Sequence, residues 1–436
     1  MSLNKLKVRI GARGLEVGTL FYERRQGRET STFRYAITWL ENPSAFALSP
    51  SMPLGEAPYR GSLMMDQAYP FPRPIADACP DSWGREVARL DHPKDGEPMT
   101  AMDYLAGIDD LARLGALRFS NTAGEYLRPS DIAPGYKSSM LLRLKDLALA
   151  SRAIEERTAT TLDIRRLRGV GTALGGARPK AVVIDDEGVL YIAKFSSNGE
   201  KLATEKMEVA TQKLAASVGI SACEARVFGT KDFDPVALIK RFDRTPDGKR
   251  LHYVSARTLL DTDPAVGSSY TEIAMAIREY VRNPVQQLQE LFRRVAFTIL
   301  VSNVDDHLMN HGFLHVGGGK WRLSPMFDVN PAPERANTLK TAISENSGHT
   351  ASIEALLSVS REFGLTEDAG AGIMGPMAST ISATWRTVAE SVGMTAAEIK
   401  SYTEAFEHKE REIAIRYMAT KGKGWTPRPE DGPAPG

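Results

Sequence analysis

The sequence predicts an α+β fold in which a small β-rich N-terminal domain precedes two lobes, the second of them mostly helical. Three observations predict it. Short apolar stretches of period two, separated by Gly and polar turns, crowd the first forty residues; a glycine-rich loop and a hairpin pattern follow near residue 169; and helical periodicity dominates beyond Thr271. The order is sheet plus one helix, then mostly helices, unlike the βαβα alternation of a doubly wound sheet. At 436 residues, 42% of them hydrophobic and 25% charged, the chain can bury a large core in two or three domains.

Taken in order, LKVRI, GTLFY and TSTFRYAITWL read as antiparallel strands, followed by a Pro-rich stretch over residues 43–80. Residues 102–117 have helical period and end near Gly115, and NTAGEYLRPSDIAPGY reads as a linker around 120–135. Residues 138–168 are helical in pattern. Residues 181–184 and 189–195 then alternate as two strands around Asp185-Asp186-Glu187-Gly188. A helix is expected over 204–218 and a strand over 236–242, with later strands only at 312–316 and 321–323. The expected units are an N-terminal domain over 1–125, a first lobe over 136–245, a helical lobe over 246–420 and a disordered Pro/Gly-rich tail over 421–436.

Composition excludes little. Lys plus Arg total 55 against 54 Asp plus Glu, so net charge favours no partner, although a local basic patch is a matter of distribution. Cys79 and Cys223 match no metal or disulfide spacing and read as small buried apolar groups. MSLNKLKVRIGARG lacks the apolar core of a signal peptide, and the longest apolar run spans about seven residues at 295–301. The expectation is a cytoplasmic protein with no membrane association.

The chemistry begins at GVGTALGGARPK, residues 169–180. Glycines let backbone N–H groups close on an anion, which makes Gly175, Gly176 and Ala177 candidate phosphate contacts. The run is neither a Walker A sequence nor a dinucleotide fingerprint, because a strand follows it; alone, it could be a plain turn. Lys194 in VLYIAKF and Glu208 fourteen residues later, on a helix, complete an order known from protein kinases: glycine loop, strand lysine, helix glutamate. The strand VALIKRF, with Lys240 and Phe242, would face an adenine edge, and Asp243 just beyond it could reach a ribose.

VSNVDDHLMNHGFLH holds Asp305 and Asn310 at the D-x-x-x-x-N spacing of a kinase catalytic loop. An aspartate there takes the proton of the attacking hydroxyl, and an amide oxygen one turn along can ligate Mg²⁺. Asp328 in RLSPMFDVNP, 23 residues beyond Asp305, occupies the place of the second metal ligand. Together the set implies a bilobal, protein-kinase-like phosphotransferase using ATP and Mg²⁺. Two other readings compete: His307, His311 and His315 are spaced by fours like metal ligands, though Gly312 breaks the register, and Asp305-Asp306 could cap a helix. One role is assigned, to Asp305, with Asp306 as its support.

These blocks, LGGARPKA, IAKF, KRFDR, DDHLMNHGF and LSPMFDV, resemble those of the HipA family of toxin kinases. So do VGTLFY, FRYAITWL, ALSPSMPL and DACPDSWGR, and the resemblance runs in order from about residue 5 to 420. It implies a serine/threonine protein kinase that acts on a translation-related protein such as an aminoacyl-tRNA synthetase. It also implies a small helix-turn-helix antitoxin, HipB-like, as partner, with DNA met only indirectly through that antitoxin. By the same resemblance Asp305 is the catalytic base, His307 organises its loop, Asn310 and Asp328 bind Mg²⁺, Lys180 and Lys194 contact phosphates, and Phe242 lies at the adenine. One departure stands out: the family often has a self-phosphorylated serine just before Leu-Gly-Gly-Ala, where this chain has Ala173 preceded by Thr172. Either Thr172 is the autophosphorylation site or this form lacks the switch; an engineered Ser→Ala change would give the same sequence. A catalytically silent co-repressor that binds an antitoxin on operator DNA is the alternative from another class.

Overall fold

The computed structural model describes residues 5–61, 69–92, 98–129, 140–171, 176–230, 233–262, 268–334 and 337–421. The expectations for Thr172 and Gly175, and for the tail beyond 421, lie outside the described residues. The N-terminal unit is a five-stranded antiparallel sheet of β1 (Lys5–Ile10), β2 (Leu15–Arg25), β3 (Arg28–Tyr35), β4 (Tyr59–Gly61) and β5 (Leu117–Ser120), ordered β4-β3-β2-β1-β5. Strict alternation explains it: Leu6, Val8 and Ile10 of β1 all point inward. Two expectations are corrected. The third strand ends at Tyr35, and Ile37–Leu40 forms a helical turn. That turn carries Trp39 under the sheet against Phe46 (ring centroids 5.6 Å apart), which a continued strand could not do. The helix expected over 102–117 covers only Ala101–Ala106, started by a Thr100–Asp103 capping box. The residues after it leave the helix because their carbonyls serve arginines of another lobe, and 117–120 joins β1.

The first lobe carries a four-stranded antiparallel sheet, β6 (Lys180–Ile184), β7 (Leu190–Lys194), β8 (Ala225–Thr230) and β9 (Phe233–Lys240), in the order β6-β7-β9-β8. The β6–β7 hairpin falls where the sequence pattern puts it, and β8 is a strand the pattern misses. Helix Thr204–Ser217 packs behind this sheet with Met207, Val209, Ala210 and Leu214 buried. The second lobe is built on helix Pro284–Leu300. It starts with Pro at its first position and buries Leu288, Leu291, Phe292, Val295 and Phe297, worth about 1.5–3 kcal/mol each. A short sheet, β10 (Tyr253–Ser255), β11 (Gly312–His315) and β12 (Trp321–Leu323), edges this lobe. The described residues between 324 and 350 hold no helix or strand, so this lobe is less helical than its sequence suggests.

Three apolar cores result, and one crosses the expected boundaries. Trp83 and Val87, from helix Ser82–Asp91 of the N-terminal part, sit in the core beneath β6, β7 and β9. Thus the N-terminal part shares a core with the first lobe as well as having one of its own. Among the described residues no helix is long and apolar enough to cross a membrane.

Candidate active site

A cleft of about 400 Å³ opens between the four-stranded sheet and the second lobe. Along β7 the pleat turns Ile192 and Lys194 toward it while Ala193, on the other face, is fully buried. Lys194 Nζ donates to Glu208 Oε1 at 2.6 Å and to Asp328 Oδ1 at 2.6 Å. Those partners lie 14 and 134 residues away in sequence, on the helix behind the sheet and on an irregular segment after β12. Burial opposes the lysine's charge, yet Asp328 and Glu208 hold its pKa above the ordinary value. The same lysine outweighs burial at Asp328 and keeps that carboxyl ionised well below the usual range, whereas burial leaves Glu208 raised. Asp328 takes a left-handed backbone (φ 56°), which Asp tolerates better than most residues, and Asn330 Nδ2 donates to the same Oδ1 at 3.1 Å.

The segment Asp305–Asn310 is a tight loop closed on one carbonyl. Asp305 O accepts from His307 N at 2.9 Å and from Asn310 Nδ2 at 3.2 Å. Since its amide nitrogen is held there, Asn310 presents its oxygen as the group able to ligate a cation, and both Asn310 and His307 line the cleft. Asp305 is exposed beside the cleft and not among its lining residues. Asp306 turns the other way. It is buried, accepts from Tyr270 Oη at 2.7 Å, and lies 3.1 Å from His311 Nε2. Burial alone would raise its pKa, but those partners hold it below the usual value. The adjacent carboxylates are therefore divided, one outward and one supporting the loop from beneath. The histidines do not converge: His311 serves Asp306, and His315 stacks on Phe46 at 3.6 Å.

At the other end the cleft is apolar. Phe242 and Phe327 lie 5.3 Å apart, with Ile192 and Ile239 beside them, a slot suited to a flat ring. Cys223 also lines it, and burial pushes its thiol up to about 12, so it packs rather than reacts. Lys240 lies at the rim with its ammonium on Glu224 at 2.9 Å. Asp243, expected to reach a ribose, lines the cleft. Its carboxylate is buried and committed, to Arg241 at 2.5 Å, to Arg244 at 2.7 Å and to Gly115 N at 2.6 Å. Arg241 and Arg244 in turn donate to carbonyls of Ala112, Arg113, Leu111 and Gly115. The group is a lock between the N-terminal part and the segment joining the lobes.

Lys180 is buried at the start of β6, opposite Lys194 in the register, and burial lowers its pKa. Gly176 (φ 105°) sits against it so closely that a Cβ there would collide with its Nζ; Ala177, next to it, is exposed and not among the lining residues. Sequence reasoning missed what stands in front. Helix Ser82–Asp91 supplies Trp83, whose N donates to Gly176 O at 3.4 Å and whose Nε1 donates to Lys180 O at 3.0 Å. It also supplies Asp81 as N-cap, accepting from Gly84 N, with Oδ2 3.9 Å from Lys180 Nζ. Burial pushes Asp81 up to about 6 against the pull of Lys180. The signal was present in DACPDSWGR, an Asp-Ser helix start beside a tryptophan, but nothing local says that it faces a cleft.

The donor set fits Mg²⁺ and a nucleotide. A hard cation held by one carboxylate, one amide oxygen, phosphate and water needs only Asp328 and Asn310 from the protein. Gly176 leaves a cradle that any side chain would fill, with two lysines at its floor.

Residues 8–120 match the family model of the HipA N-terminal domain, and residues 172–385 match that of the HipA-like C-terminal domain. A Haemophilus influenzae protein named "Putative kinase" is 26% identical over 241 residues, covering 50% of this chain and 70% of its own. Among solved structures, HipA of the Shewanella oneidensis MR-1 toxin–antitoxin system, determined with HipB and operator DNA, superposes with a TM-score of 0.65 at 16% identity. The match covers 95% of this chain and 97% of that one. At that identity the likeness speaks for the kinase-like fold alone.

Proposed function

Because this chain belongs to the HipA family, with both of that family's domains in order, we propose that it is an ATP- and Mg²⁺-dependent serine/threonine protein kinase. The observation that carries the reading is the Lys194 ammonium, 2.6 Å from Glu208 and 2.6 Å from Asp328 in a cleft that Asn310 also lines. Phosphoryl transfer needs little covalent help from a protein; it needs position and compensating charge. Lys194 and Lys180 hold the phosphates, and Glu208 keeps Lys194 extended toward them. Bound Mg²⁺ would neutralise charge developing on the phosphate oxygens. Asn310 and Asp328 would hold it there. Asp305, exposed at the mouth, accepts the proton of a serine or threonine hydroxyl. An acceptor carried by a whole protein has to reach the base from outside, and an exposed aspartate suits that approach.

The likeness to HipA further supports the role of toxin in a type II toxin–antitoxin pair, acting on a translation-related protein such as an aminoacyl-tRNA synthetase. A small HipB-like antitoxin would restrain it and supply most DNA contacts, with exposed Arg24, Arg25 and Arg28 beside the β2–β3 turn adding a few. Transfer of labelled phosphate from ATP to a cell extract tests the reading. A labelled protein band is expected with the natural chain and its loss with Asp305→Ala, whose nucleotide affinity stays intact. A labelled metabolite, or equal labelling by the variant, would remove the assignment.

A further inference from the structure

Most buried arginines among the described residues are spent on backbone carbonyls. Arg113 donates to Ala78, Leu105 and Ile108, Arg241 to Ala112 and Arg113, and Arg244 to Leu111, Arg113 and Gly115. Arg85 differs. It is half-buried on helix Ser82–Asp91 and lines the cleft. Its Nε is buried without a hydrogen-bond partner, and no hydrogen bond or ion pair joins its guanidinium to any described residue. A guanidinium carried into a cleft and left without an acceptor is costly unless something brings one.

The helix that carries it is fixed to the phosphate-binding elements. Trp83, buried on the opposite side of the helix, donates to Gly176 O and Lys180 O, so Arg85 is held in register with the glycine cradle and its lysine. Asp81, one turn before Arg85, lines the cleft on the same side and lies 3.9 Å from Lys180. Lys180, Lys194 and Arg85 thus surround one volume. The two lysines have carboxylates within 4 Å, whereas among the described residues Arg85 has only the longer-range attraction of Asp81. An arginine fork, with its planar set of N–H donors, matches the oxygens of a phosphate where an ammonium offers a point charge.

We propose that Arg85, contributed by the N-terminal domain, is a third cationic ligand of the nucleotide's phosphates, beside Lys180 and Lys194. The inference rests on the reading of this cleft as a nucleotide site. It makes the N-terminal domain part of the binding machinery, with Asp81 the positioning residue that holds Lys180 toward the same phosphates. An acidic side chain of the acceptor protein has the same attraction for a guanidinium. The geometry favours the nucleotide because the helix is anchored at Gly176 and Lys180, whereas Asp305, where the acceptor arrives, is not among the residues lining this cleft.

Calorimetric titration of the full chain with Mg²⁺ and a non-hydrolysable ATP analogue, and separately with adenosine, tests it. Arg85→Gln should weaken the analogue by roughly ten- to a hundredfold, the loss expected for a charge-assisted contact, and leave adenosine unchanged. Arg85→Lys, which keeps the stem and the charge, should recover only part of the loss. Lys194→Ala is the control for the site itself. Natural analogue affinity in Arg85→Gln, with Lys194→Ala impaired, would overturn the inference and leave the nucleotide site standing. A raised KM for the acceptor protein at unchanged analogue affinity would overturn it too. No binding of either ligand by the natural chain would remove the underlying reading and the inference with it.

Discussion

Two clusters of buried charge lie a few residues from the same strand, β9 and its neighbours, and they are built to opposite ends. Around Lys194, one ammonium is shared by two carboxylates, at the floor of a cleft with Asn310 and His307 on its wall. Around Asp243, one carboxylate is shared by two guanidiniums and a backbone N–H, and the guanidiniums are themselves tied to carbonyls. The first opens onto space a ligand can fill. The second borders the same cleft, but its charges are already matched to one another. What distinguishes a binding cluster from a lock is therefore whether its groups have capacity unspent; charge, burial and a place on the cleft are alike in both.

The contrast breaks most visibly at Asp328. Asp328→Asn should reduce phosphoryl transfer by about two orders of magnitude or more, since it removes a charge that would hold Mg²⁺. Thermal stability should move little, because Lys194 keeps Glu208 as a partner. Activity measured across a Mg²⁺ titration, with melting followed in parallel, checks this. Near-natural activity at low Mg²⁺ would show that the open cluster is only another lock.

Asp243→Ala is the reverse case. It leaves Arg241 and Arg244 buried without their counter-charge, a loss of about 3–5 kcal/mol by the usual behaviour of broken buried pairs. Denaturant unfolding should register that loss. Whatever fraction remains folded should bind nucleotide normally. A selective fall in nucleotide affinity at unchanged stability would make Asp243 a nucleotide contact as well as a lock.

Acid unfolding sharpens the comparison at the same joint. His252, buried with Nε2 2.8 Å from Leu48 O, and His315, half-buried and stacked on Phe46, lie where the N-terminal part meets the second lobe. Burial lowers them to about 4 and about 3. The unfolded chain takes up protons near pH 6.5 while the folded chain does not, so stability falls as pH drops from there toward 4. The slope is about 1.4 kcal/mol per pH unit for each histidine. Asp243 behaves differently: Arg241 and Arg244 outweigh burial and depress its pKa, so its contribution is lost only below the unfolded value near 4. Replacing both histidines by Gln should flatten the upper window and leave the lower one. An unaltered profile would show that neither is held neutral.

Legibility from the sequence follows the same division. Lys194, Glu208, Asn310 and Asp328 could be picked out because phosphate and metal chemistry fixes residue types in a fixed order along the chain, and the fold brings them to one cleft. The β6–β7 hairpin was legible because alternation and a turn are local. The commitment of Asp243 was not legible because Gly115, whose N–H it accepts, and the carbonyls of 111–113, which accept from Arg241 and Arg244, are contributed from well over a hundred residues away. The helix expected over 102–117 failed for the same reason: those carbonyls are recruited by arginines that no local period announces. Arg85 and Asp81 stayed unseen because a wall supplied by a separate domain has no spacing rule to the residues it faces.

The smallest effect belongs to Lys240, which sequence reasoning placed at the nucleotide and which the structure puts on the rim. Its ammonium meets an exposed Glu224 at 2.9 Å, and a solvent-exposed pair of this kind contributes about 0–1 kcal/mol. What that stretch can offer a base is backbone, and Phe242 supplies the apolar face. Lys240→Ala should therefore leave both melting and nucleotide affinity close to natural, with less dependence on salt than any lysine committed to phosphate would show. Binding measured at low and high ionic strength is the check. A marked loss of affinity that salt reproduces in the natural chain would move Lys240 from the rim into the set with Lys180, Lys194 and Arg85. The line between spent and unspent charge would then have been drawn in the wrong place.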